Sequence, residues 1–264
     1  LAHDLGNPPF GHSGERAISS YFAEGNGMKV KKLLCNECGE EAAEWLWSDL
    51  VHFDGNANAF RLLTHQYEGR RAGGYVMTYS VLAAIVKYPY TSLMSQGKSK
   101  FGFFKSETPF FDKIAHELQL LPLCHDGNKI SYARFPLAYF VEAADDICYE
   151  IMDIEDAHKL HILTTQQTSD LLLNFFDAKE RRRLQQAHPN VTDPNERIIY
   201  LRSCVINLIE QECVRAFIRH EDEILHGQFH GALIDHTSKA CADAFHACAD
   251  YARTHIYKAR EVLD

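Results

Sequence analysis

The sequence lacks long apolar runs and has no excess of positive charge. No segment approaches the roughly 18 uninterrupted apolar residues that a membrane-spanning helix requires, so we predict neither a membrane span nor a membrane partner. The formal net charge of −9 argues against a protein that coats nucleic acid, because such proteins are usually basic. This charge does not exclude a phosphate-rich small ligand, since a metal ion and a few lysines can reverse the potential inside one pocket.

Proline and glycine are also scarce, with 8 and 15 residues among 264. The sequence contains no run of alternating β-branched residues, no internal repeat, no low-complexity segment and no clear linker. Together with the helical spacing of the apolar residues, these absences favour a single large all-α domain. We predict a loop over residues 92–110 and helices over residues 13–24, 40–52, 56–65, 77–86, 111–119, 135–161, 193–220 and 235–263.

Two of the long predicted helices carry the clearest local signals. Apolar residues surround the helix over residues 135–161, which predicts a buried central helix. The helix near residue 193 has a strong start signal: Asp193 can cap it, Pro194 suits the first turn, and Glu196 can reach back to the cap.

Eight cysteines are scattered along a chain that is too large to need disulfide staples. This distribution predicts reduced thiols and a cytoplasmic protein. Cys35 and Cys38 form a CxxC pattern, but the nearest candidates for a second ligand pair, His52 and His65, lack the usual zinc spacing. We interpret Cys35 and Cys38 as ordinary cysteines.

The adjacent residues His3 and Asp4 are candidate metal ligands. They can offer an imidazole nitrogen and a carboxylate oxygen to one ion because the chain turns sharply at Gly6. Mixed nitrogen and oxygen ligation suits Mg²⁺, Mn²⁺ or another transition ion better than thiolate-rich zinc chemistry. His125 and Asp126 form a second pair of this kind, which we interpret as part of a loop.

His12 and Glu15 follow the first His-Asp pair at a spacing of three on a predicted helix. At this spacing both side chains share a face, so Glu15 can hold and polarise His12. A histidine that a carboxylate keeps in one orientation is typical of a general acid or base. The alternative is a structural pair at the start of a helix.

Four blocks of the sequence extend over almost the whole chain: HDLGNPPFGHSGE (residues 3–15), FDGNANAFR (53–61), TYSVLAAIVKYP (78–89) and EAADDICY (142–149). They resemble, in the same order, blocks of bacterial dGTPases and related deoxynucleoside triphosphate (dNTP) triphosphohydrolases of the HD superfamily, and the first and last are specific. The resemblance implies an HD-domain helical bundle.

Asp145, Tyr149 and Asp153 stack along one face of the predicted helix over residues 135–161. Carboxylates on such an apolar helix are costly to bury without a cation or several donors, so a metal ion or an arginine is expected beside them. The residues alone leave the choice between Asp145 and its neighbour Asp146 open. The family's pattern, with a Tyr four and an Asp eight residues after the ligand, points to Asp145.

The resemblance also assigns roles. It implies a divalent metal ion held by His3, Asp4 and Asp145. It further implies that Tyr149 packs against the deoxyribose and that Asp153 binds the 3′-hydroxyl. A tyrosine in contact with the sugar leaves no room for a 2′-hydroxyl, which favours a dNTP over an NTP.

Further residues are expected near the substrate. The resemblance implies that Lys87 and Tyr88 reach the polyphosphate, and that Lys98 or Lys100 supplies a second lysine that binds phosphate. The alternative for each of these lysines is that it is an ordinary solvated surface residue. The other predicted substrate-binding residues are Asn7, Asn56, Asn58 and Arg61. The run Arg181–Arg183 is predicted to be a solvated helix end, with an effector-nucleotide or DNA contact as the alternative.

The activity implied by the resemblance is hydrolysis of a dNTP, with dGTP the first candidate, to a deoxynucleoside and triphosphate. The expected partners are effector nucleotides or single-stranded DNA and further copies of the chain in a homo-oligomer. Another HD-family nucleotide phosphohydrolase, such as a monophosphatase or phosphodiesterase, and a non-catalytic nucleotide-sensing module are the alternatives. The family's metal site has a further histidine upstream of the His-Asp pair, so we expect a segment before Leu1, with a truly shortened protein as the alternative. Typical family members also imply a longer carboxyl end.

Overall fold

The computed structural model describes residues 2–69, 72, 74–95, 100–187 and 190–259. Helices dominate this part of the chain, and the predicted all-α class is confirmed. The chain divides into two compact units, residues 1–141 and residues 142–264, which are described separately below. The prediction of a single domain stays a prediction.

Residues 1–141 form six helices and a hairpin in their described part. Short 3-10 helices at His3–Gly6, Asn26–Met28, Ser92–Met94 and Lys105–Glu107 accompany them. Side chains cap two of the main helices: Asp54 accepts from the amide of Asn56, and Thr78 from the amide of Val81. The main elements are α1 (Gly11–Ala23), α2 (Lys29–Cys38), α3 (Glu40–Val51), α4 (Gly55–Thr64), α5 (Tyr79–Ile85), α6 (Thr108–Glu117), β1 (Pro122–Asp126) and β2 (Lys129–Tyr132).

Aromatic side chains fill the core of this unit. The rings of Phe103 and Phe111 stack with centroids 4.3 Å apart, and Phe60 meets Phe111 edge to face. Phe101 and Phe103 are fully buried although they fall within the predicted loop over residues 92–110. The loop prediction was wrong in part: two 3-10 turns shape this segment, and α6 already begins at Thr108.

The antiparallel hairpin is the main departure from the prediction for this unit. His125 pairs with Ile130 and Asp126 with Lys129, so the second His-Asp pair lies at the end of a strand and not in a loop. Gly127 has a φ of +56°, which suits glycine in the tight turn between the strands. The residue pair Asp126-Gly127 is the sequence signal that favours such a turn.

The second unit begins within the long helix α7. Its described elements include a 3-10 helix at Leu233–His236 and a terminal π-helical turn at Ala252–Ile256. The helix α8 packs against α10 and α12. The helices are α7 (Ala138–Lys159), α8 (Thr165–Leu173), α9 (Ala178–Gln186), α10 (Pro194–Arg219), α11 (Glu221–Leu225) and α12 (Lys239–Tyr251).

Two predictions for this unit need correction. Helix α7 is not buried on every side as predicted, because Ile147, Ile151 and Ile154 are buried while Cys148 and Tyr149 are exposed. The single helix predicted over residues 235–263 is interrupted, since a 3-10 helix precedes α12 and a π-helical turn follows it; its last residues, 260–263, lie outside the described residues.

The start signal at residue 193 was correctly interpreted. Oδ1 of Asp193 accepts from the amide of Asn195 at 2.9 Å, and α10 runs from Pro194 to Arg219. All eight cysteines are free, as predicted. None of the described helices combines the length and apolar character needed to cross a membrane.

Candidate functional site

The 3-10 helix His3–Gly6 packs directly on the N-terminal turn of α4. A Cβ atom added to Gly6 would lie 2.1 Å from the backbone oxygen of Gly55 and from the backbone nitrogen of Ala59. The side-chain amide of Asn58 also donates to the carbonyl of Gly6 at 2.8 Å. Glycine is therefore required at residue 6 for the His-Asp turn to approach α4 this closely.

His3 and Asp4 present metal-ligand atoms side by side at this turn. Nδ1 of His3 lies 3.5 Å from Oδ1 of Asp4, and the side-chain amide of Asn7 donates to that oxygen at 2.9 Å. An imidazole nitrogen and a carboxylate oxygen at this separation are chemically suited to one divalent ion. The third predicted ligand, Asp145, lies on α7 in the second unit.

His12 and Glu15 form a hydrogen-bonded pair on α1. Nδ1 of His12 lies 2.7 Å from Oε2 of Glu15, and the amide of Gly55 donates to Oε1 of Glu15 at 2.8 Å. The imidazole is largely exposed, whereas the carboxylate is buried. Burial acts to raise the pKa of Glu15, but the hydrogen bonds from His12 and Gly55 and the charge of Lys100 outweigh it, so the pKa is lowered.

Lys100 lies between two buried carboxylates. Its Nζ is 3.7 Å from Oε2 of Glu15 and 3.5 Å from Oδ1 of Asp54. Sequence reasoning assigned Lys100 to the polyphosphate and did not single out Asp54. A signal was available, because Asp is a preferred N-cap residue and Asp54 lies just ahead of the helix predicted over residues 56–65.

A cavity of about 400 Å³ opens beside the His12–Glu15 pair. It brings together the imidazole of His12, the cations of Arg16 and Lys100, and the aromatic ring of Phe53. Such a cavity suits an anionic ligand with an apolar portion. It is lined by His12, Glu15, Arg16, Ser19, Ser20, Val51, Phe53 and Lys100.

The polar residues of α4 have partners within the protein. Asn56 donates through its side chain to Asp54 at 2.8 Å. Arg61 donates to Glu107 at 2.6 Å and to Ser106 at 2.8 Å. Together with the bond from Asn58 to Gly6, these contacts show that the block supports the local structure. A role for its members in substrate binding stays a prediction.

The remaining predicted phosphate residues follow α5. Lys87 is buried and Tyr88 is half-buried. The ring of Tyr88 lies 5.8 Å from the guanidinium of Arg134 and 6.2 Å from the ring of Tyr90. Lys98, the alternative to Lys100 as second phosphate lysine, lies outside the described residues.

The predicted sugar-binding residues lie on α7. Tyr149 is 61% exposed, so its ring is accessible, and Asp145 and Asp153 are half-buried. The phenol of Tyr257 donates to Oδ2 of Asp153 at 2.5 Å. Burial raises the pKa of Asp153, and the hydrogen bond from Tyr257 opposes this rise. Tyr257 was not singled out, because it lies 104 residues from Asp153 in sequence and belongs to none of the four blocks.

The arginine run lies on α9. Arg181 donates to the carbonyl of Phe176 at 2.7 Å, and Arg183 forms an exposed pair with Glu180 at 3.0 Å. These contacts agree with a solvated helix surface. The alternative contact with an effector nucleotide or DNA stays a prediction.

Comparison with known proteins found relatives over most of the chain. The chain is 35% identical over 260 residues to a deoxyguanosinetriphosphate triphosphohydrolase-like protein of Pseudomonas aeruginosa, and the match covers 94% of this chain and 55% of that relative. It is 36% identical over 245 residues to a protein of the same name from Synechocystis, covering 89% and 52%. It is 30% identical over 276 residues to the deoxyguanosinetriphosphate triphosphohydrolase of Cronobacter sakazakii, covering 90% and 51%.

The chain thus spans about half the length of the curated relatives it matches. No family model matches the sequence.

Proposed function

We propose that this chain forms much of the catalytic region of a metal-dependent hydrolase that cleaves a dNTP to a deoxynucleoside and triphosphate. The names of the relatives support a triphosphohydrolase, and they make dGTP the first substrate to test. The observation that carries the proposal is the His12–Glu15 pair, since an accessible imidazole held at 2.7 Å by a buried carboxylate is suited to proton transfer.

Glu15 orients His12 for this chemistry. With Nδ1 directed at Oε2 of Glu15, Nε2 of His12 serves the reacting group. Water attacks the α-phosphorus in line, the bond to the 5′-oxygen breaks, and that oxygen receives a proton. His12 either protonates the departing oxygen or accepts a proton from the attacking water.

His3, Asp4 and Asp145 would hold the divalent ion, with Mg²⁺ or Mn²⁺ as first candidates. The 3.5 Å separation of Nδ1 of His3 and Oδ1 of Asp4, and their mixed chemistry, fit such an ion. A bound divalent ion supplies Lewis-acid stabilisation of charge on the phosphate and lowers the pKa of water.

The remaining predicted residues would bind the substrate. Lys87, Tyr88 and Lys100 contribute positive charge and hydrogen bonds toward the polyphosphate, which favours positioning. Tyr149 packs against the sugar and Asp153 binds the 3′-hydroxyl, so the site selects deoxyribose.

The reaction is tested by incubating the purified full-length protein with each dNTP and Mg²⁺ or Mn²⁺, and separating the products by anion exchange. We expect deoxynucleoside and intact triphosphate, with the highest rate for dGTP. Pyrophosphate with dNMP, or stepwise release of phosphate, would show cleavage at another bond and support another HD-family phosphohydrolase. Saturable dNTP binding without any product would instead support a nucleotide sensor.

A further inference from the structure

Two buried carboxylates share one ammonium group beside His12. Glu15 is 7% exposed and Asp54 is 0% exposed, while the Nζ of Lys100 lies within 4 Å of both. The Lys100 side chain keeps 28% of its surface exposed, so it reaches the carboxylates from the cavity side. His12 is therefore linked through Glu15 to a group of charges larger than its hydrogen-bonded pair.

Asp54 is suited to remain an anion in this group. Its Oδ1 accepts from the amide and the side chain of Asn56 at 3.0 and 2.8 Å, and its Oδ2 accepts from the amide of Phe101 at 3.1 Å. Burial raises the pKa of Asp54, and the charge of Lys100 is the largest influence that opposes it. Because these hydrogen-bonded partners all donate, the geometry favours the carboxylate over the acid.

Asp54 is also joined to Glu15 through the backbone. It caps α4, and the next residue, Gly55, donates its amide to Glu15. The fit is close, since a Cβ atom added to Gly55 would lie 3.0 Å from Oε1 of Glu15. The orientation of the first turn of α4 thus determines where the Glu15 carboxylate is held.

We propose that Asp54 and Lys100 are positioning residues that set the orientation and protonation of His12 through Glu15. Asp54 aims the amide of Gly55 at Glu15 and shares the charge of Lys100, so that Glu15 keeps its negative charge toward His12. The catalytic importance of this arrangement rests on the proposed function. The electrostatic coupling to His12 does not, since it exists without substrate.

The coupling predicts shifts of opposite sign in the pKa of His12. In D54N, Lys100 neutralises Glu15 more fully, and His12 loses its proton at lower pH. In K100M, Glu15 and Asp54 lose their shared cation, and His12 keeps its proton to higher pH. The D54N/K100M double variant removes one charge of each sign and returns toward wild type. Arg16, the other charged side chain of the described cavity lining, is unchanged throughout.

The substitutions are chosen to preserve the fold. Asn is as good an N-cap as Asp, so D54N keeps the oxygen that caps α4 and removes the charge, while its Nδ2 group takes the place of the oxygen that accepts from Phe101. D177N makes the same exchange at the cap of α9, and K113M removes an exposed lysine of α6. Neither control is expected to move the His12 titration, and thermal unfolding of every variant checks its folding.

The experiment is an NMR titration of the His12 imidazole in the full-length protein, assigned with H12Q. We expect the two shifts to have opposite signs and to be smaller than those caused by direct charge partners, because Lys100 acts through Glu15. Shifts of the same sign in D54N and K100M, or none in either folded variant, would overturn the proposal.

Kinetics with dGTP separate positioning from phosphate binding. We expect D54N and K100M to lower kcat and to move the pH profile in the directions of the NMR shifts, and K100R to restore most of the rate. A higher KM for K100M with an unchanged His12 titration would overturn the proposal in favour of a phosphate lysine. If the wild-type protein releases no triphosphate while the opposite NMR shifts are observed, the proposed function fails and the coupling stands.

Discussion

The amide of Gly55 donates to Oε1 of Glu15 at 2.8 Å across 40 residues of sequence. This bond is buried and joins the first turn of α4 to the helix that carries His12. Its geometry depends on the missing side chain at residue 55, because a Cβ atom there would lie 2.3 Å from Oδ1 of Asn7 and 3.0 Å from Oε1 of Glu15.

We therefore expect G55A to destabilise the protein by about 1–3 kcal/mol, the usual cost of overpacking, and to lower dNTP turnover. Urea unfolding and steady-state kinetics measure the two effects. Since the closest atom belongs to the Asn7 side chain, N7S in the same protein should recover part of the lost stability. A G55A protein with wild-type stability and rate would show that the close approach is unimportant.

The catalytic role of His12 predicts that H12A lowers kcat by about 10²–10⁴-fold, the usual contribution of general acid–base catalysis. Because His12 is not among the proposed metal ligands, Mn²⁺ binding measured by calorimetry should change little. The matched control is H125A, which removes the histidine of the second His-Asp pair in the hairpin. A fully active H12A protein would exclude this role.

Local patterns in the sequence were sufficient for much of the fold. The start of α10 follows from Asp193 and Pro194 because capping involves only neighbouring residues. The spacing of His12 and Glu15 likewise places both on one face of α1, where the structure pairs them. Each of these features is decided within one turn of helix.

Features that depend on distant residues could not be predicted in the same way. Phe101 and Phe103 lie in a segment rich in Gly, Ser and Lys, and only packing against α6 and its neighbours explains their burial. The links from Asp54 to Lys100 and Phe101 cross more than 40 residues of sequence. The sequence around Phe101 and Phe103 does not specify what they pack against, and the sequence around Asp54 does not specify its distant partners.

Asp49 predicts a pH-dependent stability. Burial is the main cause that raises its pKa to about 7, and its carboxylate accepts from the hydroxyl of Ser92 at 2.6 Å and from the amide of Lys105 at 2.8 Å. The folded protein therefore keeps a proton on Asp49 that the unfolded chain has already released. This contribution to stability is complete below about pH 4 and is lost as pH rises toward 7.

We expect D49N to flatten that part of the pH dependence, since Asn can accept from Lys105 and donate to Ser92. The change is on the order of 1 kcal/mol for each pH unit over which only the folded protein keeps the proton. Unfolding free energies from urea titrations between pH 4 and 8 measure it as the difference between D49N and wild type. The control is D177N at an exposed helix cap. If the unfolding free energies of wild type and D49N changed in parallel with pH, Asp49 would not be the source of the pH dependence.

The hydrogen bond from Tyr257 to Asp153 predicts an effect on sugar recognition. At 2.5 Å the phenol restrains the carboxylate that we propose to bind the 3′-hydroxyl. Its removal in Y257F should cost about 0.5–1.5 kcal/mol, a 2- to 10-fold rise in KM for dGTP, with little change in kcat. The 2′,3′-dideoxy analogue of dGTP lacks the hydroxyl that Asp153 would bind, so Y257F should change its KM much less. Equal effects on both nucleotides would place the role of Tyr257 in folding, and a lower KM for dGTP would mean that the phenol competes with the sugar for Asp153.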